Sequence, residues 1–295
     1  MKILLLGPNG QVGWELQRAL APLGELVIAG RELGDLEQPE QLRGALRQIQ
    51  PQVIVNAAAY TAVDAAESDR ERARTVNALA PGVMAEEAAA ARSLLIHYST
   101  DYVFDGSGER AWLETDSTGP VNAYGETKLE GETLIRASGC RHLIFRTSWV
   151  YASRGKNFLR TMLRLAGDKD KLSVVCDQSG APTGAELIAD VTAHALRAEA
   201  HNPALSGLYH LVAGGVTTWH GFAVHAIETA RRLGHPVRVG ADAITACRTA
   251  DFPTPARRPQ NSRLSTERLR ETFQLTLPPW QVGVERAVRE LCSSP

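Results

Sequence analysis

The sequence of 295 residues has no long hydrophobic run and almost no net charge. Its longest apolar stretches, such as Ile3 to Leu6 and Val53 to Val55, are only as long as strands, whereas a helix needs about 20 apolar residues to span a bilayer. The formal net charge is -1, which gives no electrostatic reason to expect nucleic acid or an acidic membrane as a partner. We therefore expect a protein that acts on a small molecule.

Cysteine is scarce and has no metal-site spacing. The four cysteines lie far apart without a C-x-x-C, and the eight histidines form no H-E-x-x-H, two patterns typical of zinc sites. The first residues read as a strand from Lys2 that a glycine turn ends at Gly7, rather than as a signal peptide. These features predict a reduced, cytoplasmic protein without structural zinc.

What the sequence does contain is a regular alternation of strand and helix patterns. Short apolar runs predict five strands, which are "KILLLG", "ELVIAG", "QVIVNAAAY", "SLLIHYST" and "HLIFRTSWVY". Amphipathic or Ala-rich helices separate them, so the pattern is a repeated βαβ unit. Because short connections link these units, the pattern predicts an α/β fold, a doubly wound parallel sheet of the Rossmann type.

The pattern becomes less regular after Tyr151. We predict a dinucleotide-binding domain over residues 1–150 and a smaller, mainly substrate-binding lobe over 151–295. The two are interleaved, because "GLYHLVAGG" predicts a return strand near 207–213. "DQSGAPTG" and the proline-rich "DFPTPARRPQNS" are predicted loops.

Three glycines mark a candidate phosphate-binding loop. Gly7, Gly10 and Gly13 in "GPNGQVG" fall where the first strand turns into the first helix. Without Cβ atoms the backbone can turn tightly and approach a pyrophosphate, while the helix N-terminus supplies positive potential. This context predicts a dinucleotide cofactor.

The end of the second strand indicates which dinucleotide. "IAGRELGD" lacks the carboxylate that usually holds the adenine ribose, and it has Arg31 instead. A guanidinium can accept a 2′-phosphate, which favours NADPH, although a solvated arginine fits equally well and NADH remains open. Asp35 and Leu36 suit a turn against adenine. The segment expected to lie under the cofactor after strand three is Ala57, Ala58, Ala59 and Tyr60.

"NAYGETKLEGE" places Tyr124 and Lys128 four residues apart, hence on one face of a predicted helix. Reduction of a ketone needs a proton donor for the developing oxyanion, and we expect Tyr124 to be that donor. A neighbouring Lys128 ammonium would lower the pKa of the phenol, and Thr100 at the end of strand four could orient the substrate oxygen. The alternative is a half-exposed tyrosine beside a solvated lysine.

The glycine loop, the strand-end threonine and Y-x-x-x-K, in this order, resemble the extended short-chain dehydrogenase/reductase family. Further matching motifs, from "NAAAYTAVDAAE" and "STDYVFDG" to "FRTSWVY", "GAPTGAELIAD" and "LPPWQVGV", extend the resemblance over essentially the whole chain. Within the family, the resemblance implies NAD(P)H-dependent reduction of the C4 ketone of dTDP-4-dehydro-L-rhamnose to dTDP-L-rhamnose, which supplies cell-surface polysaccharides.

The resemblance also implies roles for individual residues. The cofactor contacts that it implies are Gly10, Gln11, Val12, Asp35, Leu36, Ala59, Tyr60, Tyr124 and Lys128. The implied sugar contacts are Thr100, Asp101, Phe104, Tyr124 and Trp149, with Asn157 and "DQSGAPT" on the nucleotide side. For Trp149, an ordinary core aromatic is the alternative.

Some members of the family bind Mg²⁺ through glutamates at a homodimer interface. The matching positions are Glu15, Glu186 and Glu290. Exposed helix glutamates without a metal are the alternative interpretation.

Two rival functions remain open at this point. A dehydratase or epimerase of the same superfamily needs an acidic pair after the strand-end threonine, but here Asp101 is followed by Tyr102. A non-catalytic, NADP-binding regulatory subunit would not need the intact Thr100, Tyr124 and Lys128. Both rivals are therefore disfavoured.

Overall fold

A computed structural model describes residues 1–293 of the chain. Its centre is a sheet of six parallel strands in the order β2-β1-β3-β4-β5-β10. These strands are β1 Lys2–Leu6, β2 Glu25–Ala29, β3 Val53–Asn56, β4 Leu94–Thr100, β5 Arg141–Thr147 and β10 Gly207–His210. The order reverses direction between β1 and β3, and this switch point is where open α/β sheets bind ligands.

Helices cover both faces of the sheet. The helices are α1 Gln11–Leu20, α2 Arg31–Gly34, α3 Pro39–Ile49, α4 Val63–Ala66, α5 Arg70–Arg74, α6 Ala80–Ala91, α7 Ala123–Ala137, α8 Phe158–Asp168, α9 Ala185–His201, α10 Trp219–Arg232, α11 Glu267–Phe273 and α12 Trp280–Ser293. A π-helical turn, Thr75–Leu79, joins α5 to α6.

Side chains of the central strands alternate between two cores. Ile3 and Leu5 pack with α1 and α9, whereas Leu4 and Leu6 pack with α3 and α6. Strands buried on both faces are nearly all apolar, which explains the run "KILLL". The predicted doubly wound parallel sheet is confirmed.

The C-terminal half adds a smaller cluster of elements beside the sheet. Helices α8, α10 and α12 share a core that includes Leu159, Phe222 and Val284. The remaining strands pair outside the central sheet and are β6 Val150–Tyr151 with β9 Thr183–Gly184, β7 Leu172–Val175 with β12 Ile244–Cys247, and β8 Ser179–Gly180 with β11 Thr217–Thr218. Strand β10 lies beside β5, with Gly207 opposite Leu143. The domain boundary at residue 150 stays a prediction, and residues 294 and 295 of the predicted lobe lie outside the described chain.

The structure departs from the sequence interpretation at two places. The run "HLIFRTSWVY" is two strands rather than one, because Trp149 has φ +48 and turns β6 away from the central sheet. "DQSGAPTG" is not all loop, since it contains β8 and β9. In both cases pairing between distant segments, rather than local propensity, sets the backbone.

All four cysteines are free thiols. Over residues 1–293, the helices are too short or too polar for any of them to cross a lipid bilayer.

Candidate active site

The glycine loop leaves no room for side chains at two of its three glycines. Gly7 has φ +73, and a Cβ there would lie 2.6 Å from the nitrogen of Ala58. A Cβ on Gly13 would lie 2.0 Å from the carbonyl oxygen of Gly7. Gly10, in contrast, has ordinary space and sits at the N-terminus of α1. Gly7 and Gly13 are therefore structural requirements of the turn, and Gly10 faces the position that a ligand would take.

A cleft of about 200 Å³ begins at this loop and runs across the ends of β2 and β3. It brings together seven of the predicted cofactor residues, namely Gly7, Gly10, Arg31, Asp35, Leu36, Ala58 and Ala59. Arg31 is exposed at its edge. The cleft thus has the loop for a pyrophosphate at one end and a guanidinium at the other.

The other predicted cofactor residues flank this cleft. Val12 packs against the core under α1, and the Ala57 N–H donates to the Leu6 carbonyl. Gln11 accepts a hydrogen bond at its Oε1 from Asn157 Nδ2, 2.8 Å away. Asn157 also caps α8 by accepting from the Arg160 N–H, so it ties the C-terminal lobe to the glycine loop.

Asn77 is a site residue that the sequence interpretation missed. Its Oδ1 accepts from the Tyr60 N–H at 2.9 Å, and its Nδ2 donates to the Tyr60 carbonyl and to Thr127. It lies in the π-helical turn, a distortion that is frequent at functional sites. Asn77 therefore fixes the segment that is predicted to lie under the cofactor relative to α7.

Helix α7 presents Tyr124 to the end of β4. Asn122 caps the helix by accepting from the Gly125 N–H at 2.8 Å, and Tyr124 lies in the first turn with its hydroxyl near that of Thr100. The ring of Tyr102 meets the Tyr124 ring edge to face at 5.8 Å. Thr100 and Tyr124 thus converge, as the reductase hypothesis requires.

Lys128 lies one turn further along α7 and is 1% exposed. Its Nζ donates to the Tyr98 carbonyl at 2.6 Å and lies 3.0 Å from His97 Nε2. Burial lowers the pKa of Lys128 to about 8, and the Glu132 carboxylate opposes that shift. The alternative of a solvated lysine is excluded.

The pKa of Tyr124 differs from the sequence expectation. Burial raises it above its usual value, the charge of Asp101 raises it further, and the hydrogen bond with Thr100 lowers it. We expected Lys128 to lower this pKa, but the lysine nitrogen is turned towards His97 and Tyr98. At neutral pH Tyr124 is thus a protonated phenol, able to donate.

Asp101 is the second titratable group beside the phenol. Burial raises its pKa to about 7, partly offset by the nearby hydroxyls of Ser262 and Thr100. Its Oδ1 accepts from Thr100 at 3.1 Å, while Oδ2 is buried without a hydrogen-bond partner among residues 1–293. A buried acceptor of this kind is suited to a ligand hydroxyl.

An ion pair missed by the sequence interpretation anchors α7 to the sheet. Glu132 is fully buried and accepts from Arg146 Nε and Nη2 at 2.9 and 2.6 Å, and from Ser99 Oγ at 2.5 Å. Breaking a buried pair of this kind typically costs about 3–5 kcal/mol. The only sequence signal is that Glu132 follows Lys128 by four residues.

Besides Tyr124, two of the implied sugar contacts are aromatic and lie in different environments. Trp149 stacks on Trp219 with ring centroids 3.8 Å apart. Its left-handed backbone is an outlier for a bulky residue and marks strain of the kind that collects at functional sites. Phe104 is fully buried and stacks on Trp112, so a substrate contact by its side chain stays a prediction.

A second, larger cavity of about 930 Å³ adjoins the N-terminus of α7. Its wall carries three arginines and an exposed phenylalanine, which are Arg248, Arg257, Arg258 and Phe252. Asn122, the cap of α7, donates from Nδ2 to the Arg257 carbonyl at 2.8 Å. The sequence interpretation treated this segment only as a loop, although adjacent arginines between prolines were a signal of it.

The three glutamates proposed for magnesium are close to cations of their own chain. Arg286 Nε lies 3.3 Å from Glu186 and 3.5 Å from Glu290, and Arg18 lies 3.6 Å from Glu15. Burial, more than the neighbouring carboxylates, raises the pKa of Glu186, whereas Arg286 lowers it. Over residues 1–293 no three His, Cys, Asp or Glu side chains are grouped to hold a metal. One chain therefore does not supply the site.

The glycine loop yields a matched pair of variants. Gly7→Ala forces a Cβ into the backbone of Ala58 at positive φ, and we expect it to destabilise the protein by about 1–3 kcal/mol. Gly10→Ala should fold normally, but should weaken NADPH binding at least about tenfold, because its Cβ occupies the approach of the pyrophosphate. Urea unfolding and NADPH fluorescence titration measure the two effects. Equal behaviour of both variants would contradict this assignment.

Comparisons with known proteins agree with this arrangement. The family model described as "RmlD substrate binding domain" matches residues 1–293. The dTDP-4-dehydrorhamnose reductase of Shigella flexneri is 54% identical over 295 residues, which cover 99% of this chain and 98% of that protein.

Solved structures of reductases with the same name are similar over their full length. The Clostridium acetobutylicum structure has a TM-score of 0.90 at 34% identity, covering 99% of each chain. The Bacillus anthracis structure, a complex with NADP, has a TM-score of 0.88 at 32% identity and covers 98% of this chain and 100% of its own. The chain therefore belongs to the RmlD substrate binding domain family, and the relatives described above are dTDP-4-dehydrorhamnose reductases.

Proposed function

We propose that this protein reduces the C4 ketone of dTDP-4-dehydro-L-rhamnose to dTDP-L-rhamnose with NAD(P)H. The observation that carries the proposal is the convergence of the Thr100 and Tyr124 hydroxyls, with buried Lys128 one turn away on the same helix. The relatives that share this chain's full length bear the name of that activity.

The residues of the first cleft fit a nicotinamide dinucleotide. Gly7 to Gly13 at the N-terminus of α1 would hold the pyrophosphate, and Asp35, Leu36 and Ala58 would face the adenosine half. Lys128 would hold the nicotinamide ribose. The cofactor supplies the hydride when bound, and the NADP complex of the Bacillus anthracis relative supports its use.

The proton comes from the protein. Tyr124 donates its phenolic proton to the C4 oxygen as negative charge develops there, and Thr100 holds the same oxygen in position. The raised pKa of Tyr124 keeps the phenol protonated before the reaction.

The substrate would extend from this point into the basic cavity. Trp149 would pack on the apolar side of the deoxysugar, and Asp101 would accept from a ring hydroxyl through Oδ2. The arginines of the cavity wall match a nucleoside diphosphate, since guanidinium groups bind phosphate oxygens in a bidentate manner. Asn157 then lies near the junction of the two ligands.

We propose in addition that the protein is a homodimer. The face formed by α1, α9 and α12 carries the exposed side chains of Trp14 and Val282, and the three glutamates lie on these same helices. Exposed apolar side chains on one face are typical of a protein interface. A magnesium ion there would need carboxylates from both subunits, so sedimentation with and without EDTA separates a metal-linked dimer from a metal-free one. The cytoplasmic location stays an expectation.

The direct test is the reaction itself. Incubation with dTDP-4-dehydro-L-rhamnose and C4-deuterated NADPH should give stoichiometric oxidation of the cofactor and one product epimer with deuterium at C4, read by NMR. A fixed geometry of donor and acid delivers hydride to a single face. A mixture of epimers would contradict the geometry, and absence of turnover with intact ligand binding would favour the regulatory subunit.

The phenol is tested by Tyr124→Phe. The variant should keep its fold and its NADPH affinity, but lose about 10²- to 10⁴-fold in kcat, the usual contribution of a positioned general acid. Tyr209→Phe is the control, because the Tyr209 hydroxyl donates to the Leu205 carbonyl away from the site. A near-normal kcat in Tyr124→Phe would remove the phenol from the mechanism.

Arg31 tests the cofactor preference. If its guanidinium holds the 2′-phosphate, Arg31→Ala should lower kcat/KM for NADPH about tenfold, roughly 1.4 kcal/mol, and leave NADH unaffected. Arg47→Ala is a control, since Arg47 pairs with Glu87 on the surface of α3 and α6. An equal loss with both cofactors would show that Arg31 does not select NADPH.

A further inference from the structure

A buried chain of hydrogen bonds runs from the cofactor cleft to Lys128. The Ala58 N–H donates to Asn56 Oδ1 at 3.1 Å, Asn56 Nδ2 lies 3.1 Å from His97 Nδ1, and His97 Nε2 lies 3.0 Å from Lys128 Nζ. Asn56, His97 and Lys128 are each 1% exposed. Asn56 and His97 are paired residues on neighbouring strands, so their side chains lie on the same face of the sheet.

The Ala58 N–H fixes which atom donates and which accepts in each of these hydrogen bonds. It can only donate, so the Asn56 oxygen must face it and the Asn56 NH₂ group must face the imidazole. His97 Nδ1 then accepts, and a neutral imidazole carries its single proton on Nε2. Burial holds the pKa of His97 well below its usual value, so the ring is neutral. The Nε2 proton therefore points at the nitrogen of Lys128.

This arrangement matters for the protonation of Lys128. An unprotonated amine can accept the Nε2 proton with its lone pair while still donating to the Tyr98 carbonyl. An ammonium has no lone pair, so its presence requires the imidazole proton to move to Nδ1 and the Asn56 amide to turn away from Ala58. We propose that Asn56 and His97 are positioning residues that hold the Lys128 side chain and lower the proton affinity of its amine.

The charged groups around Lys128 do not cancel the lowering of its proton affinity. On its own helix Glu132 raises the pKa of Lys128, but Glu132 is engaged by Arg146 of β5. Other titratable side chains on elements packed against α7 include Asp101 and Tyr102 after β4 and Asp64 and Glu67 of and after α4. Several charged side chains on these elements are engaged in ion pairs: Arg70 with Glu126, Arg74 with Glu130, Arg72 with Glu37, Arg141 with Glu199, and Glu86 and Glu87 with Arg43. Burial outweighs the Glu132 charge, and the pKa stays at about 8.

The position of the imidazole proton can be read without turnover. The cofactor-free protein is labelled with ¹⁵N-histidine, and its long-range ¹H–¹⁵N spectrum is recorded at about pH 9, above the Lys128 pKa. His97 is assigned by the loss of its signals in His97→Gln. We expect a protonated Nε2 and an unprotonated Nδ1. The opposite tautomer would overturn the proposal, whatever the fate of the proposed reaction.

Kinetics with two variants of Asn56 test the consequence, and this arm rests on the proposed function. If Lys128 must be charged for activity, kcat/KM should fall above pH 8 in the native enzyme. In Asn56→Asp, the carboxylate accepts from the Ala58 N–H and from a protonated His97 Nδ1, so the Nε2 lone pair points towards Lys128. The fall in kcat/KM should then begin about one pH unit higher or more. Asn56→Leu removes the donor to His97 Nδ1 without adding charge. It should also raise the pH at which kcat/KM falls, but by less than Asn56→Asp does.

The two variants separate amide orientation from charge. A shift in Asn56→Asp alone would be a charge effect and would overturn the proposal, as would no shift in either variant. If either variant fails to fold, the His97 tautomer in the native protein still tests the proposal, because that measurement needs no substitution of Asn56. If the native protein shows no turnover, that result counts against the proposed function and not against the His97 tautomer.

Discussion

The close fit of helix α7 against its neighbours is the constraint on which the site depends. A Cβ on Gly125 would lie 2.2 Å from the carbonyl oxygen of Tyr102, and one on Gly131 would lie 2.2 Å from that of Asn77. Only glycine permits such an approach of helix to backbone. Because α7 lies this close, Tyr124 reaches Thr100 and Lys128 reaches β4.

The same closeness makes the contact between α7 and the sheet unusually polar. Lys128 and Glu132 are buried there, and each is engaged by partners on the strands. Buried charges destabilise a fold unless they are paired and hydrogen-bonded, and they add little net stability even then. The same burial places Lys128 and Tyr124 in a site of low dielectric. There, fixed neighbouring groups rather than water set the proton affinities of the amine and the phenol.

Two cavities lie beyond the carboxyl ends of the strands, and their walls come from different parts of the chain. The cofactor cleft is built by βα turns of the N-terminal half, whereas the basic cavity is walled by residues from both halves. Asn122 links helix α7 to the wall of the basic cavity, because it caps the helix of Tyr124 and donates to the Arg257 carbonyl.

Local patterns in the sequence were sufficient for the element order, the doubly wound sheet, the glycine loop and the shared face of Tyr124 and Lys128. These features follow from periodicity and from backbone conformations that only certain residues adopt. They also predicted which residues gather at the switch point, since parallel strands end at one edge.

The tertiary structure alone decided the chemistry of those residues. Lys128 meets His97 across 31 residues of sequence and His97 meets Asn56 across 41, and no periodicity records such pairings. The raised pKa of Tyr124, the turn at Trp149 and the contact of Arg286 with two of the three glutamates are of the same kind. Proton affinity and ligand geometry depend on burial and on individual atoms brought within about 3 Å by distant segments, and these exist only once the chain has folded.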